Sequence, residues 1–109
     1  MKEDESIVGY YGKIPSKGDF ITQLLPRSFV DPWDIWLREA LATSKAQLGD
    51  NWAEYYLTTP LYRYALSSGI CGNQTWIGVM MVSMDSVGRY FPMTICKSFA
   101  GSSNPFSLL

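Results

Sequence analysis

The residues with the most chemical potential in this chain lie in two short stretches. The first is GKIPSKGDF, Gly12 to Phe20, where Lys13, Lys17 and Asp19 stand among glycines after an apolar run. Glycines and a lysine following a strand are the ingredients of a phosphate cradle, in which backbone N–H groups and an ammonium hold the anion. A Walker loop, however, needs G-x-x-x-x-G-K-[ST]. Here Gly18 is followed by Asp19, and Gly12-Lys13 by Ile14, so an anion docks where the chain places a carboxylate. The second stretch is DSVGR, with Asp85 and Arg89 at its ends. Lys13, Lys17, Asp19, Asp85 and Arg89 are therefore the candidate recognition residues. A purely structural reading stands beside it: Asp85 pairs with Arg89 across the turn, Gly88 supplies a positive φ, and Asp19 caps a helix.

Other chemistries are poorly supplied. The chain has no histidine, which removes the commonest general base and metal ligand and every Ser-His or Cys-His pair. Ser83 and Ser86 flank an aspartate, but Met84 breaks any G-x-S-x-G frame. Asp31 and Asp34 are a carboxylate pair better suited to a helix start. Two cysteines, Cys71 and Cys96, cannot by themselves complete a four-ligand zinc site, and their apolar neighbours suit buried free thiols. No catalytic residue, metal or cofactor is expected.

These residues must be positioned by one small domain. The chain has 109 residues, is 47% hydrophobic and carries a net charge of −1. That is enough for a core without staples, and the scattered basic residues leave no electrostatic footprint for nucleic acid. The opening MKEDES is unlike a signal peptide and no run is long enough to span a membrane, so a cytoplasmic protein is expected.

Periodicity predicts a strand over Ile7–Tyr11 and a helix of about two turns after Asp19, stopped by Pro26. A longer amphipathic helix follows over Pro32–Leu48, with Asp31 as N-cap, Gly49 at its end, and Trp33, Trp36, Leu37, Ala40, Leu41 and Leu48 on its buried face. Asp34 and Arg38 are spaced for an ion pair. A short helix over Asn51–Leu57 precedes three strands: LYRYALSS, the nearly continuous apolar TWIGVMMVSM, read as central, and YFPMTICKSF, where Pro92 favours an edge or a strand start. Strand, helices, then strands joined by short turns predicts an α+β fold, a single domain over 1–109 with a mainly antiparallel sheet packed against helices, and 101–109 as a tail. Four Trp, seven Tyr and five Phe are too many to hide completely. Tyr10, Tyr11, Tyr55, Tyr56, Tyr62 and Tyr64 suit half-buried or interface positions.

Taken in order, GYYGKIPSKGDF, LPRSFVDPWDIWL, LGDNWAEYYLTTPLYRYAL and CGNQTWIGVMMVSMDSVGRYFPM resemble the segments of the TagF (ImpM) family of type VI secretion-associated proteins. The resemblance runs from about Gly9 to Ala100, with Lys13, Gly18, Asp19, Phe20, Trp33, Asp34, Trp36, Asp85, Gly88, Arg89, Tyr90, Phe91 and Pro92 matching. Val82, Tyr62 and Tyr64 depart from it, in place of Pro, Trp and Phe. The resemblance implies a non-enzymatic cytoplasmic accessory protein of the bacterial type VI secretion system. It implies a post-translational repressor linked to the system's forkhead-associated protein, its expected partner, and Lys13, Lys17, Asp19, Asp85 and Arg89, read from the loops themselves, are the candidate contacts. A small nucleotide-binding or hydrolytic domain using the Gly12–Asp19 loop is the alternative, and exposed aromatics leave a homodimer open.

Overall fold

The structure, a computed structural model, describes residues 8–99. Five strands form one antiparallel sheet in the order β2-β1-β5-β4-β3: β1 Val8–Gly12, β2 Ile21–Gln23, β3 Tyr62–Leu66, β4 Thr75–Met81 and β5 Met93–Phe99. Helix α1, Arg27–Leu48, connects the two edge strands β2 and β3, and a 3₁₀ turn over Gly49–Asn51 leads into the short α2, Trp52–Leu57. This is the α+β architecture expected. The expected tail, 101–109, lies outside the described residues, as does Ile7.

One face of the sheet carries the core. Alternation along the strands turns Tyr11, Trp76 and Cys96 to the same side, where they meet Phe29, Trp33 and Leu37 of α1. Those three helical residues recur every four positions, and Leu41 continues the stripe, partly buried. The ring stack Phe29–Trp33–Tyr64 runs through it, at centroid separations of 5.6 and 4.8 Å. Both cysteines are free and buried.

Three local expectations are corrected. The segment after Asp19 is strand β2, not a helix: Ile21, Thr22 and Gln23 pair with Gly12, Tyr11 and Tyr10, and that ladder outweighs the weak helical spacing. Helix α1 begins five residues earlier than the Asp31 cap implied. Pro26 is its N-cap, its carbonyl accepting from the N–H groups of Phe29 and Val30 at 3.0 Å. Pro32 sits inside the helix, in its second turn, where it forgoes the hydrogen bond an N–H would make to the Ser28 carbonyl, and Asp31 bonds Arg27 one turn back at 3.3 Å. Trp36 and Ala40 are exposed, Trp36 by 53%, because a position one residue off the four-spaced stripe is rotated to the rim, and Leu48, the last residue of the helix, is exposed as well. Strand β4, read as central, is an interior strand between β5 and β3, and β5 holds the middle of the five, with Pro92 immediately before its first residue as a strand start. Other expectations hold: Gly49 ends α1 with φ 60°, and Arg38 Nε lies 2.7 Å from Asp34 Oδ2.

Candidate functional site

The two chemistry-bearing stretches fold onto each other. Lys13 emerges directly from the end of β1, while Asp85 to Arg89 form a tight loop between β4 and β5, closed by an Asp85 N–H to Arg89 carbonyl bond of 3.0 Å. Gly88 adopts φ 87° within it. The loop is sewn to the first stretch by backbone: Ser86 N–H donates to the Lys17 carbonyl at 2.7 Å, and Ser83 Oγ to the Lys13 carbonyl at 2.6 Å. Gly12 explains why a glycine opens the motif. With φ 149°, it lies so close to the residues ahead of β5 that a Cβ would meet the Pro92 carbonyl oxygen and come within 2.8 Å of Met93 Cα.

Asp85 is the centre of the arrangement and is almost wholly buried, 1% exposed. Its Oδ1 accepts from the N–H groups of Val87 and Arg89, at 3.1 and 2.9 Å. Its Oδ2 meets Lys13 Nζ at 3.2 Å and Arg89 Nε at 2.7 Å. Burial alone would raise this carboxyl's pKa, but the Arg89 N–H, the Lys13 ammonium, the Arg89 guanidinium and the Val87 N–H outweigh it and hold the group down at about 2. Lys13 is buried, with its ammonium also 4.9 Å from the Phe20 ring centroid. Arg89 remains largely exposed and sends a further N–H to the Gly18 carbonyl, 2.8 Å away.

Beneath the ions lies an aromatic floor built from the same two stretches and the residues next to them. Tyr11 and Phe20 stack at 5.5 Å, and Phe91 meets Phe20 and Tyr11 edge-on at 4.9 and 5.9 Å. Arg38 reaches over Phe20 from α1, at 5.1 Å, while its partner Asp34 accepts the Tyr11 hydroxyl at 2.5 Å. Burial and then that carboxylate raise the Tyr11 pKa.

Of the five candidate contacts, the fold thus brings Lys13, Asp85 and Arg89 into one ion cluster. Lys17 and Asp19 stand exposed on the loop beside it. Asp19 has no helix to cap; its Oδ1 accepts the Phe20 N–H at 2.7 Å. A phosphate at this loop would have to displace the Asp85 carboxylate from Lys13. Tyr56, expected at a half-buried or interface position, is buried, and its hydroxyl donates to the Ser83 carbonyl at 2.7 Å and accepts from the Ser83 N–H at 3.0 Å, fixing α2 to the same loop, a contact the sequence did not show. Tyr56 also joins Trp52 and Tyr90 in a second ring cluster, at 4.9 and 5.1 Å.

Among the described residues no group of three or more Cys, Asp and Glu side chains is placed to hold a metal ion, and no helix is long and apolar enough to cross a membrane.

Comparison with known proteins gives two findings. Residues 9–109 match the family model described as TagF N-terminal domain, type VI secretion system-associated. The fold is similar to the crystal structure of PA0076 from Pseudomonas aeruginosa PAO1, with a TM-score of 0.84 and 45% sequence identity over 85% of this chain. The similarity spans 42% of that longer chain. No curated protein matches.

Proposed function

The chain belongs to the TagF N-terminal domain family of type VI secretion-associated proteins, and on that premise we propose that it is a cytoplasmic repressor of secretion that works by binding a protein. The partner on this reading is the forkhead-associated component of the machine. It acts after translation and without catalysis.

The observation that carries this reading is the use each motif residue is already put to. Asp85 is saturated by two cations and two N–H groups, and Lys13 is buried against it. Groups so engaged make poor acids, bases or phosphate ligands, but they build a rigid loop surface. Arg89, Lys17 and Asp19 are presented at its edge, and preorganised charged loops of this kind suit protein recognition. Exposed Tyr55 and Tyr62 supply further aromatic surface of the type enriched at interface hot spots.

The test is recovery of partners by tagged protein from lysate of a type VI-positive bacterium, with Lys17→Glu and Arg89→Asp variants checked for folding by circular dichroism. Recovery of the forkhead-associated protein, reduced in folded Lys17→Glu, supports the proposal. Lys17→Glu is the cleaner variant, because it reverses an exposed charge without removing an Asp85 partner. Recovery of no secretion component overturns it. Thermal stabilisation by a nucleotide with magnesium would instead favour the nucleotide-binding alternative.

A further inference from the structure

Two arginines beside the ion cluster are paired with acids in the same lopsided way. Arg89 Nε lies 2.7 Å from Asp85 Oδ2, and Arg38 Nε lies 2.7 Å from Asp34 Oδ2. In both pairs the acid is inside and the base outside: the Asp85 side chain is wholly covered and that of Asp34 is 21% exposed, against 62% for Arg89 and 56% for Arg38. Arg27 and Asp31 pair at the same spacing on α1, yet there both side chains are exposed. That pair shows water its carboxylate along with its guanidinium. At Arg38 and Arg89 the outward side of the pair is the cation.

The acids cannot easily turn out to cancel it. Asp34 Oδ1 accepts the Tyr11 hydroxyl, and Asp85 Oδ1 accepts the N–H groups of Val87 and Arg89. Each guanidinium is also held at a second point. Arg89 Nη2 donates to the Gly18 carbonyl at 2.8 Å, while Arg38 rests over the Phe20 and Phe91 rings, 5.1 and 5.7 Å from their centroids. A guanidinium anchored through Nε keeps terminal N–H groups for a second acceptor, in a planar fork that matches a carboxylate. Side chains already fixed lose less conformational freedom when a partner arrives.

Both forks belong to one surface. Phe20, under Arg38, is two residues from the Gly18 carbonyl that Arg89 holds, and Lys13 lies 4.9 Å from the same ring. Around it Lys13, Lys17, Arg38 and Arg89 outnumber Asp19, Asp34 and Asp85 by one. So small an excess suits separate carboxylates and not the dense charge of a phosphate backbone.

We propose that Arg38 is a contact residue together with Arg89, and that the partner segment received here is acidic, presenting Asp or Glu carboxylates to the terminal N–H groups of the two guanidiniums. The inference rests on the reading that the chain acts by binding a protein, and adds the chemistry of what it binds.

Titration of the whole chain with a poly-glutamate peptide, followed at the arginine Nε–Hε resonances by NMR, tests this. The Arg38 and Arg89 resonances are expected to shift saturably while that of Arg27 stays in place. In the combined variant Arg38→Lys, Arg89→Lys, which keeps both charges and removes both forks, fluorescence anisotropy of the labelled peptide is expected to show binding weaker by about tenfold. Absence of saturable shifts, or equal shifts at Arg27, overturns the proposal, and neither reading needs a variant. Full affinity in a combined variant that is folded by circular dichroism also overturns it. So does saturation by inorganic phosphate at lower concentration than by the peptide, because the surface is then a phosphate site. The two readings fail separately. A forkhead-associated protein recovered from lysate in undiminished yield by the combined variant overturns the acidic contact alone, whereas recovery of no secretion component, with Arg38 and Arg89 still shifting, overturns the repressor reading alone.

Discussion

Lys13 and Asp85 form a buried ion pair, 3.2 Å long, between the end of the first strand and the last loop before the fifth. Neither residue is near the other in sequence, and each belongs to a different motif. The pair joins the N-terminal and C-terminal parts of the sheet at the point where Arg89 also docks on the same carboxylate. Removing one partner of a buried pair leaves the other charge without compensation. Asp85→Asn, which strands two cations, is expected to lower the melting temperature more than Lys13→Met, which leaves Arg89 in place. Thermal denaturation of the two variants at neutral pH gives the order; the reverse order contradicts the central role of Asp85.

The same carboxyl makes stability depend on acid. Its folded value, about 2, lies below the roughly 3.9 of an unfolded aspartate. Its contribution is therefore complete above about pH 4 and is lost as pH falls through about 2. The gap in melting temperature between the unsubstituted chain and Asp85→Asn is expected to narrow over that window. A constant gap from pH 6 to pH 2 contradicts this.

Tyr56→Phe removes a hydroxyl that makes two hydrogen bonds to Ser83 while keeping its ring stacked on Trp52. The Ser83 N–H is then left without a partner, while its carbonyl keeps the Phe91 N–H at 3.2 Å, and the loss should cost about 1–2 kcal/mol. Urea unfolding should show a lower midpoint with unchanged slope.

Gly12→Ala combines a positive φ with a collision against Pro92 and Met93 backbone atoms that cannot swing aside. The expected loss is roughly 3 kcal/mol or more. Gly49→Ala, also at positive φ but with open space around it, should lose less. Comparing the two by urea titration separates crowding from backbone strain.

Burial raises the thiol pKa of both cysteines, that of Cys96 to about 11. Only the thiolate alkylates readily. At pH 8, iodoacetamide is expected to modify neither cysteine appreciably in the folded chain and both rapidly in urea. Fast labelling of folded protein would mean that the region around them opens.

Much of this was legible in the residues themselves. The change from helical to alternating period after Pro60, the glycine at 49 and the Asp34–Arg38 spacing each describe a local event, and local events are what periodicity records. The failures share a cause. Asp19 looks like a helix cap until β1 offers Ile21, Thr22 and Gln23 a ladder. Asp31 followed by proline looks like a helix start until Pro26 proves able to serve earlier. Trp36 reads as core until the sheet selects the stripe through Trp33 and Leu37. For the site, the DSVGR turn was readable as a self-paired loop. The burial of Lys13 beneath it was not, because that contact depends on strands that meet only in the finished sheet.

The pairing of the first strand with the last, Val8 to Lys97 and Tyr11 to Thr94, also dictates an order of events during synthesis. A growing chain can form the β3–β4 hairpin early, but β1 has only the three-residue β2 beside it until Met93 to Phe99 emerge. Closure of the sheet is thus a late, long-range step, the kind that sets a slow folding rate. Until it happens, β1 and β4 each present an unpaired edge to neighbouring chains.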